Sequence, residues 1–334
     1  MAGSVVLVAG GAGYIGSHAC KALAVAGHTP IAFDNLVHGH RRAVQWGPLE
    51  VGDTRDQSRV EEVLRRYRPD AVMHFAGFAY VGESVADPAK YYQNNVLGSL
   101  SLLEAMRVCR VSRIVFSSTC ATYGIPEHQP IDESTPQRPI NPYGMTKLIV
   151  ERMLADYDSA YGFRSVRLRY FNASGADPQG ELGEDHHPET HLIPRGLMAA
   201  VGEIPALEVF GTDYPTPDGT CVRDYIHVSD LASGHVRALE YLLSGGNSLS
   251  LNLGTGLGVS VQEVIGALER VTGRRIPVQR SPRRPGDPAV LIADATSARQ
   301  VLAFTPTFTE IDPIVETAWQ WHQRLQHEHR VRTA

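Results

Sequence analysis

Tyr143 and Lys147 stand four residues apart in Pro142-Tyr143-Gly144-Met145-Thr146-Lys147. On a helix, positions i and i+4 share a face, so the spacing sets an ammonium beside a phenol. A nearby cation lowers a phenol from its usual pKa of about 10, and Tyr143 is then expected to act as a base near neutral pH. Phe116-Ser117-Ser118-Thr119 lies upstream. A Thr119 hydroxyl there is expected to bond a substrate oxygen and relay its proton to Tyr143. Each has a plain competing reading: an exposed Tyr and Lys on a surface helix, and hydroxyls that cap a turn. Lysine occurs only at Lys21, Lys90 and Lys147 among 31 basic residues, so the one at 147 marks a place suited to a compact ammonium.

A second group points to a cofactor. Gly10-Gly11-Ala12-Gly13-Tyr14-Ile15-Gly16 follows an apolar run and opens a helical stretch, with glycines at 10, 13 and 16. Glycine lets the backbone turn tightly and approach a pyrophosphate, and the helix N-terminus offers free N–H groups and positive partial charge. Asp34 ends the next strand, where a carboxylate binds adenosine ribose hydroxyls and repels a 2′-phosphate; NAD is expected rather than NADP. Gly52-Asp53 is placed to reach the adenine amino group. Phe75-Ala76-Gly77 supplies small residues where a dinucleotide crosses the sheet. A plain turn is the competing reading of each. The oxidised nicotinamide is expected to add a second cation beside Tyr143.

These groups need a frame. Short β-branched runs alternate with helical spacings: strands at Val5–Ala9, Pro30–Phe33, Leu49–Val51, Ala71–Phe75, Arg113–Ser117 and Ser165–Tyr170. Helices are expected at Gly16–Ala26, Gln57–Tyr67, Tyr91–Cys109 and Tyr143–Tyr161. Such alternation predicts a parallel, doubly wound α/β sheet with ligands at the carboxyl ends of its strands. After Asn172 the texture changes. Residues 173–191 lack an apolar period and read as a functional loop or domain boundary. Further helices are expected at Ile193–Val201, Val228–Leu243, Val261–Thr272 and Ile311–Gln326, with a frayed tail at His327–Ala334.

Composition bounds the possibilities. The 334 residues, 43% hydrophobic with net charge −5, suit about two globular domains and argue against a globally basic nucleic-acid binder. No apolar run approaches the roughly 20 residues of a membrane helix, and no secretory signal is visible at the N-terminus. Four scattered cysteines, Cys20, Cys109, Cys120 and Cys221, suggest no disulfide framework, as expected of a cytoplasmic chain. No metal site is expected: His186-His187 sits in a loop without partner spacing.

On GGAGYIGSH (Gly10–His18), FDNL (Phe33–Leu36), VGES (Val81–Ser84), FSSTCATYG (Phe116–Gly124), NPYGMTK (Asn141–Lys147), RYFNASGADP (Arg169–Pro178), GTDYPTPDGTCVRDYIHVSDLA (Gly211–Ala232) and PRRPGD (Pro282–Asp287), the chain resembles the extended short-chain dehydrogenase/reductase family. Within it the resemblance is to the nucleotide-sugar 4-epimerases, over about residues 5–325. The resemblance implies a Rossmann-type NAD-binding domain at 1–172 and a smaller α/β UDP-sugar-binding domain at 173–334, with segments around 220–255 packing back onto the first. It implies NAD-dependent 4-epimerisation of a UDP-hexose, UDP-glucose or UDP-galactose, through a transient 4-keto sugar. The chemistry agrees, since an unactivated C4 hydrogen is not acidic but oxidation to a ketone removes the stereocentre. It extends the cofactor set to Tyr14, Ile15, Asn35, Thr54, Asn94, Asn95, Ser117 and Tyr170. For the UDP-sugar it implies Asn172, His191, Leu192, Phe210, Arg223, Tyr225, Arg284, Asp287 and Leu291, with Arg223 and Arg284 on the phosphates and Asp287 on a ribose. A homodimer through helices near 91–108 and 145–161 is implied as well.

Several positions depart from that pattern. His191 stands where an Asn is common, Thr119 where Ser is common, Ala79-Tyr80 where Lys-Ala is common, and Leu291 where a bulkier Tyr often limits the sugar pocket. UDP-N-acetylhexosamine and UDP-xylose or UDP-arabinose therefore stay open as substrates. A nucleotide-sugar dehydratase needs an Asp-Glu pair after the threonine, and Cys120-Ala121 stand there instead.

Overall fold

The computed structural model describes residues 3–284 and 286–333, with side chains to residue 328. Its first half runs β1 (Val5–Ala9), α1 (Tyr14–Val25), β2 (Thr29–Asp34), β3 (Leu49–Val51), α2 (Gln57–Tyr67), β4 (Ala71–His74), α3 (Val81–Ala86), α4 (Pro88–Tyr91), α5 (Gly98–Val108), β5 (Arg113–Thr119), α6 (Pro142–Tyr161) and β6 (Arg164–Tyr170). Then follow β7 (Asn172–Ser174), α7 (Leu192–Val201), β8 (Leu207–Phe210), β9 (Val222–Arg223), β10 (Tyr225–His227), α8 (Val228–Leu243), β11 (Leu249–Leu253), β12 (Val259–Ser260), α9 (Val261–Thr272), β13 (Val278–Ser281), β14 (Val290–Leu291), α10 (Thr296–Leu302) and α11 (Ile311–Thr333).

Seven strands form one parallel sheet in the order β11-β6-β5-β4-β1-β2-β3. The chain reverses its direction of travel between β1 and β4, which opens a crevice at their carboxyl ends. Strands buried on both faces need apolar side chains throughout, and Val6, Leu7, Val8 and Ala9 of β1 are all fully buried. On one face, Ala19 and Leu23 of α1 pack with Leu231, Leu239 and Leu242 of α8. On the other, α2, α5 and α6 contribute Val60, Val63, Leu102, Met106, Val150 and Leu154. A separate core joins α7, α9 and α11 through Leu197, Val264, Leu268 and Val315.

Two expectations are corrected. The helix over Tyr91–Cys109 is continuous but not uniformly α: Tyr92–Leu97 forms a π-helical turn between α4 and α5. Widening the helix there turns Asn95 inward, where its amide finds three partners (below), and π turns recur where a side chain must be re-aimed. The tail from His327 is helical to Thr333, continuing α11; Ala334 lies outside the described residues. Among the described residues no helix is long and apolar enough to cross a membrane.

Candidate active site

The glycine loop joins β1 to α1 through residues that a side chain would disrupt. Gly10 has φ +83°, and a Cβ there would lie 2.6 Å from the Ala76 nitrogen; one on Gly16 would lie 2.0 Å from the Gly10 oxygen. Gly13 differs, since its Cβ would meet only the Gly10 oxygen at 3.4 Å. Gly13 also starts α1 with no side-chain cap and no acid in the first turn. The first N–H groups, those of Tyr14 and Ile15 included, are thus open to an anion. A dinucleotide pyrophosphate fits this cradle. Asp34, buried, accepts from the Ala12 and Leu36 N–H groups at 3.0 and 2.8 Å, and burial raises its carboxyl despite those bonds. Asp53 is held below the usual carboxylate range, at about 2, by the fork of Arg55, and it accepts from Asn35 at 3.1 Å. Thr54 is buried close to Gly98.

Past β4, the Phe75 and Ala76 N–H groups bond to the Ala9 carbonyl, and Gly77 stays exposed. Asn95 fixes this turn: its Oδ1 accepts from the Phe78 N–H at 2.8 Å and from Asn94, while its Nδ2 donates to the Phe78 carbonyl and Thr146 Oγ1. With its amide engaged on both sides, Asn95 positions the loop against α6.

β5 and α6 carry the chemistry. Thr119 ends β5 and caps the turn at Cys120–Thr122. Asn141 caps α6, with Pro142 in its first turn, so Tyr143 and Lys147 are fixed on successive turns and both are buried. Burial pushes the Tyr143 phenol above its usual range, Tyr170 adds to that, and the neighbouring Thr119 hydroxyl pulls the other way. Lys147 is not among the leading influences, so the expected lowering of Tyr143 by its ammonium is not met in the protein alone. Lys147 donates to the Ser117 carbonyl at 2.9 Å and is lowered to about 8 by burial, against the pull of Glu151. Its Nζ would lie 3.6 Å from a Cβ on Gly77, beside the turn after β4. The Ser117 hydroxyl bonds the Tyr170 hydroxyl at 2.8 Å. Behind the threonine stands Cys120, its thiol pushed up to about 12 by burial; no carboxyl occupies that place.

Strand register gathers the expected sugar-nucleotide residues. Asn172 pairs with Tyr225, and Arg223 with Leu291. Phe210 pairs with Ser281, which brings Arg284 over the Phe210 ring with its guanidinium carbon 3.8 Å from the centroid. Arg223 is buried and bonds Asp287 at 2.5 Å, so a predicted phosphate ligand and a predicted ribose ligand grip one another in the structure. Asn172, His191, Leu192 and Tyr225 line one cavity of about 70 Å³.

The sequence reading missed several groups. Asp224, fully buried, accepts from the N–H groups of Thr255, Gly256 and Ala293 and from the Thr255 hydroxyl, tying β9 to the end of β11. Glu151 and Arg169 form a buried pair under Ser118 and Tyr123. Asp224 and Arg169 fall within long motifs, whereas Glu151 lies in none. His186, dismissed as isolated, meets Glu184, Glu189 and His191.

Comparison with known proteins agrees with this geometry. Residues 6–254 match the NAD dependent epimerase/dehydratase family, and the chain belongs to it. A UDP-glucose 4-epimerase of Rhizobium leguminosarum bv. trifolii is 55% identical over 324 residues, 97% of this chain and 99% of that one. The crystal structure of UDP-glucose 4-epimerase from Brucella ovis in complex with NAD is 57% identical with TM-score 0.93, over 95% of this chain and 97% of that one. That of the Bifidobacterium longum enzyme with NAD+ and UDP is 41% identical with TM-score 0.92, over 96% and 98%.

Proposed function

We propose that this chain interconverts UDP-glucose and UDP-galactose by inverting C4, with NAD held throughout the cycle. The observation that carries it is the buried Tyr143 phenol, one helical turn from Lys147 on α6 and next to the buried Thr119 at the end of β5. NAD, when bound, would supply a reversible hydride acceptor for the sugar C4 and, in its oxidised form, positive charge. Tyr143 takes the O4 proton, directly or through Thr119, and gives it back. Lys147 holds the carbonyl end of β5 and keeps a cation on the phenol's helix face. A dehydratase reading lacks its acid, because Cys120 and Ala121 follow Thr119.

Residues 1–172 would hold the cofactor and residues after 173 the UDP. Asn172, Leu192, Phe210, Arg223, Tyr225 and Arg284 would grip the nucleotide, and Leu291 would border the sugar. A similar enzyme crystallised with NAD+ and UDP supports the binding of both ligands. A homodimer is supported by apolar side chains left exposed along α5, α6 and the π turn, among them Leu97, Leu100 and Tyr161. Four free cysteines, three of them buried, suit a reducing cytoplasm. The test is incubation of purified protein with UDP-glucose, no NAD added. UDP-galactose should form, and Tyr143→Phe should abolish turnover while NAD stays bound; absence of any 4-epimer sinks the proposal.

A further inference from the structure

Glu184, His186, Glu189 and His191 meet in the segment that leads into α7. Each offers one ligand atom, and all four atoms lie within 4.8 Å of one another. The separations are specific: His191 Nδ1 lies 2.7 Å from Glu184 Oε1 and 2.9 Å from Glu189 Oε1, and His186 Nδ1 lies 3.1 Å from Glu184 Oε1 and 3.8 Å from Glu189 Oε2. Zinc bonds imidazole nitrogen and carboxylate oxygen at about 2.0–2.2 Å, so ligand atoms in a tetrahedral site stand about 3.4 Å apart. The observed separations bracket that edge, and small side-chain adjustments complete it.

Charge argues in the same direction. Both carboxylate side chains are 8% exposed, and among the described residues no Lys or Arg forms an ion pair with either. The nearest arginines are engaged elsewhere: Arg42 pairs with Asp185 and Glu328, and Arg195 donates to the Glu189 main-chain carbonyl. Two adjacent, largely buried carboxylates with only imidazoles facing them are balanced either by an imidazolium or by a metal ion that displaces its proton. We propose that these four side chains form a binding site for one divalent transition-metal ion of the zinc type. Two nitrogen and two oxygen donors suit zinc or cobalt better than calcium or magnesium, which take oxygen ligands.

Four protein donors leave no open position, as in structural rather than catalytic sites. The surroundings say what such an ion would hold. The His186 ring packs edge-on against Tyr14 of the glycine loop and Tyr80 of the turn after β4, and His191 packs against Tyr80. Tyr14 also donates to the Gly175 carbonyl at 2.6 Å. An ion would close residues 184–191 into a ring seated on both cofactor-side loops.

The test uses the untagged full-length chain, stripped with chelator and then titrated with Zn2+ and with Co2+. One equivalent per chain should survive dialysis, the Co2+ form should show the visible absorption of a four-coordinate ion, and added metal should raise the unfolding midpoint. The His186→Ala/His191→Ala variant, and separately Glu189→Gln, should weaken binding by more than the roughly 100-fold typical of losing an outer partner. Each should unfold in chelator like the stripped parent and gain no midpoint from metal. No retained ion, or the same stoichiometry in the double variant, overturns the site and leaves an imidazole–carboxylate hydrogen-bond network.

Discussion

The Lys147 ammonium donates to the main-chain carbonyl of Ser117, 30 residues away and two residues before the end of β5. The Ser117 hydroxyl in turn bonds Tyr170 at the end of β6. Ser117 therefore links Lys147 of α6, through its carbonyl, to Tyr170 of β6, through its hydroxyl, and Lys147 is the only lysine in the site. Lys147→Met keeps the bulk and removes the charge. Its kcat should fall by about 10²–10⁴-fold, the range of acid–base contributions, with KM changed much less. Steady-state kinetics on UDP-glucose check the split; equal loss in both would point to a distorted binding site instead.

Arg223 and Asp287 neutralise one another in a site expected to meet a diphosphate. Binding an anion to Arg223 replaces or shares that bond. Arg223→Leu should raise KM for the UDP-sugar by about 10–100-fold, the weight of a charge-assisted hydrogen bond of about 1.5–3 kcal/mol, while kcat changes little. Calorimetry with UDP alone should show the same loss, because UDP carries the phosphates without the sugar.

Burial keeps four histidines neutral. It lowers His18 and His235 to about 4, and His74 and His227 to about 3. In the unfolded chain they titrate at about 6.5. Below that pH the unfolded state binds more protons, so stability falls as pH drops from about 6.5 toward the folded values. Each such group contributes a slope of up to about 1.4 kcal/mol per pH unit. His235→Gln, which removes a ring bonded through Nδ1 to the Leu231 carbonyl, should reduce the slope by one proton's worth. Urea unfolding at a series of pH values reads it directly.

Leu291 lies in register with Arg223 and is nearly buried. If it borders the sugar, its size limits the substituent at C2. The parent should turn over UDP-N-acetylglucosamine at a rate comparable to UDP-glucose, and Leu291→Tyr should slow the larger sugar by at least about 10-fold while sparing the smaller. Slow turnover of the acetylated sugar in both would remove Leu291 from the selection.

Local pattern carried much of this structure. α8 and α9 begin and end where apolar spacing placed them, because capping and periodicity act within a few residues. Tyr143 and Lys147 were readable for the same reason. What local pattern missed depends on contacts far apart in the chain. The π turn at Tyr92–Leu97 exists to turn Asn95 toward Phe78 and Thr146, 17 and 51 residues away. Asp224 gathers donors from 255, 256 and 293. The pairing of Arg223 with Asp287 and the stacking of Arg284 on Phe210 follow from strand register, which no motif encodes. Lys147 was identified but its partner was not, since a main-chain carbonyl leaves no mark in a sequence.

One edge strand of the seven-stranded sheet, Leu249–Leu253, pairs with Val166–Tyr170 of β6. It is made about 80 residues later. During synthesis, the sheet ending at β6 presents a row of unsatisfied backbone groups, the kind that recruits strands from other chains. The sheet cannot be completed until residues through Leu253, about half of those after 172, have been translated. A fragment cut at residue 172 should therefore aggregate rather than fold, and the two halves cannot be exchanged between relatives as separate cassettes at that boundary.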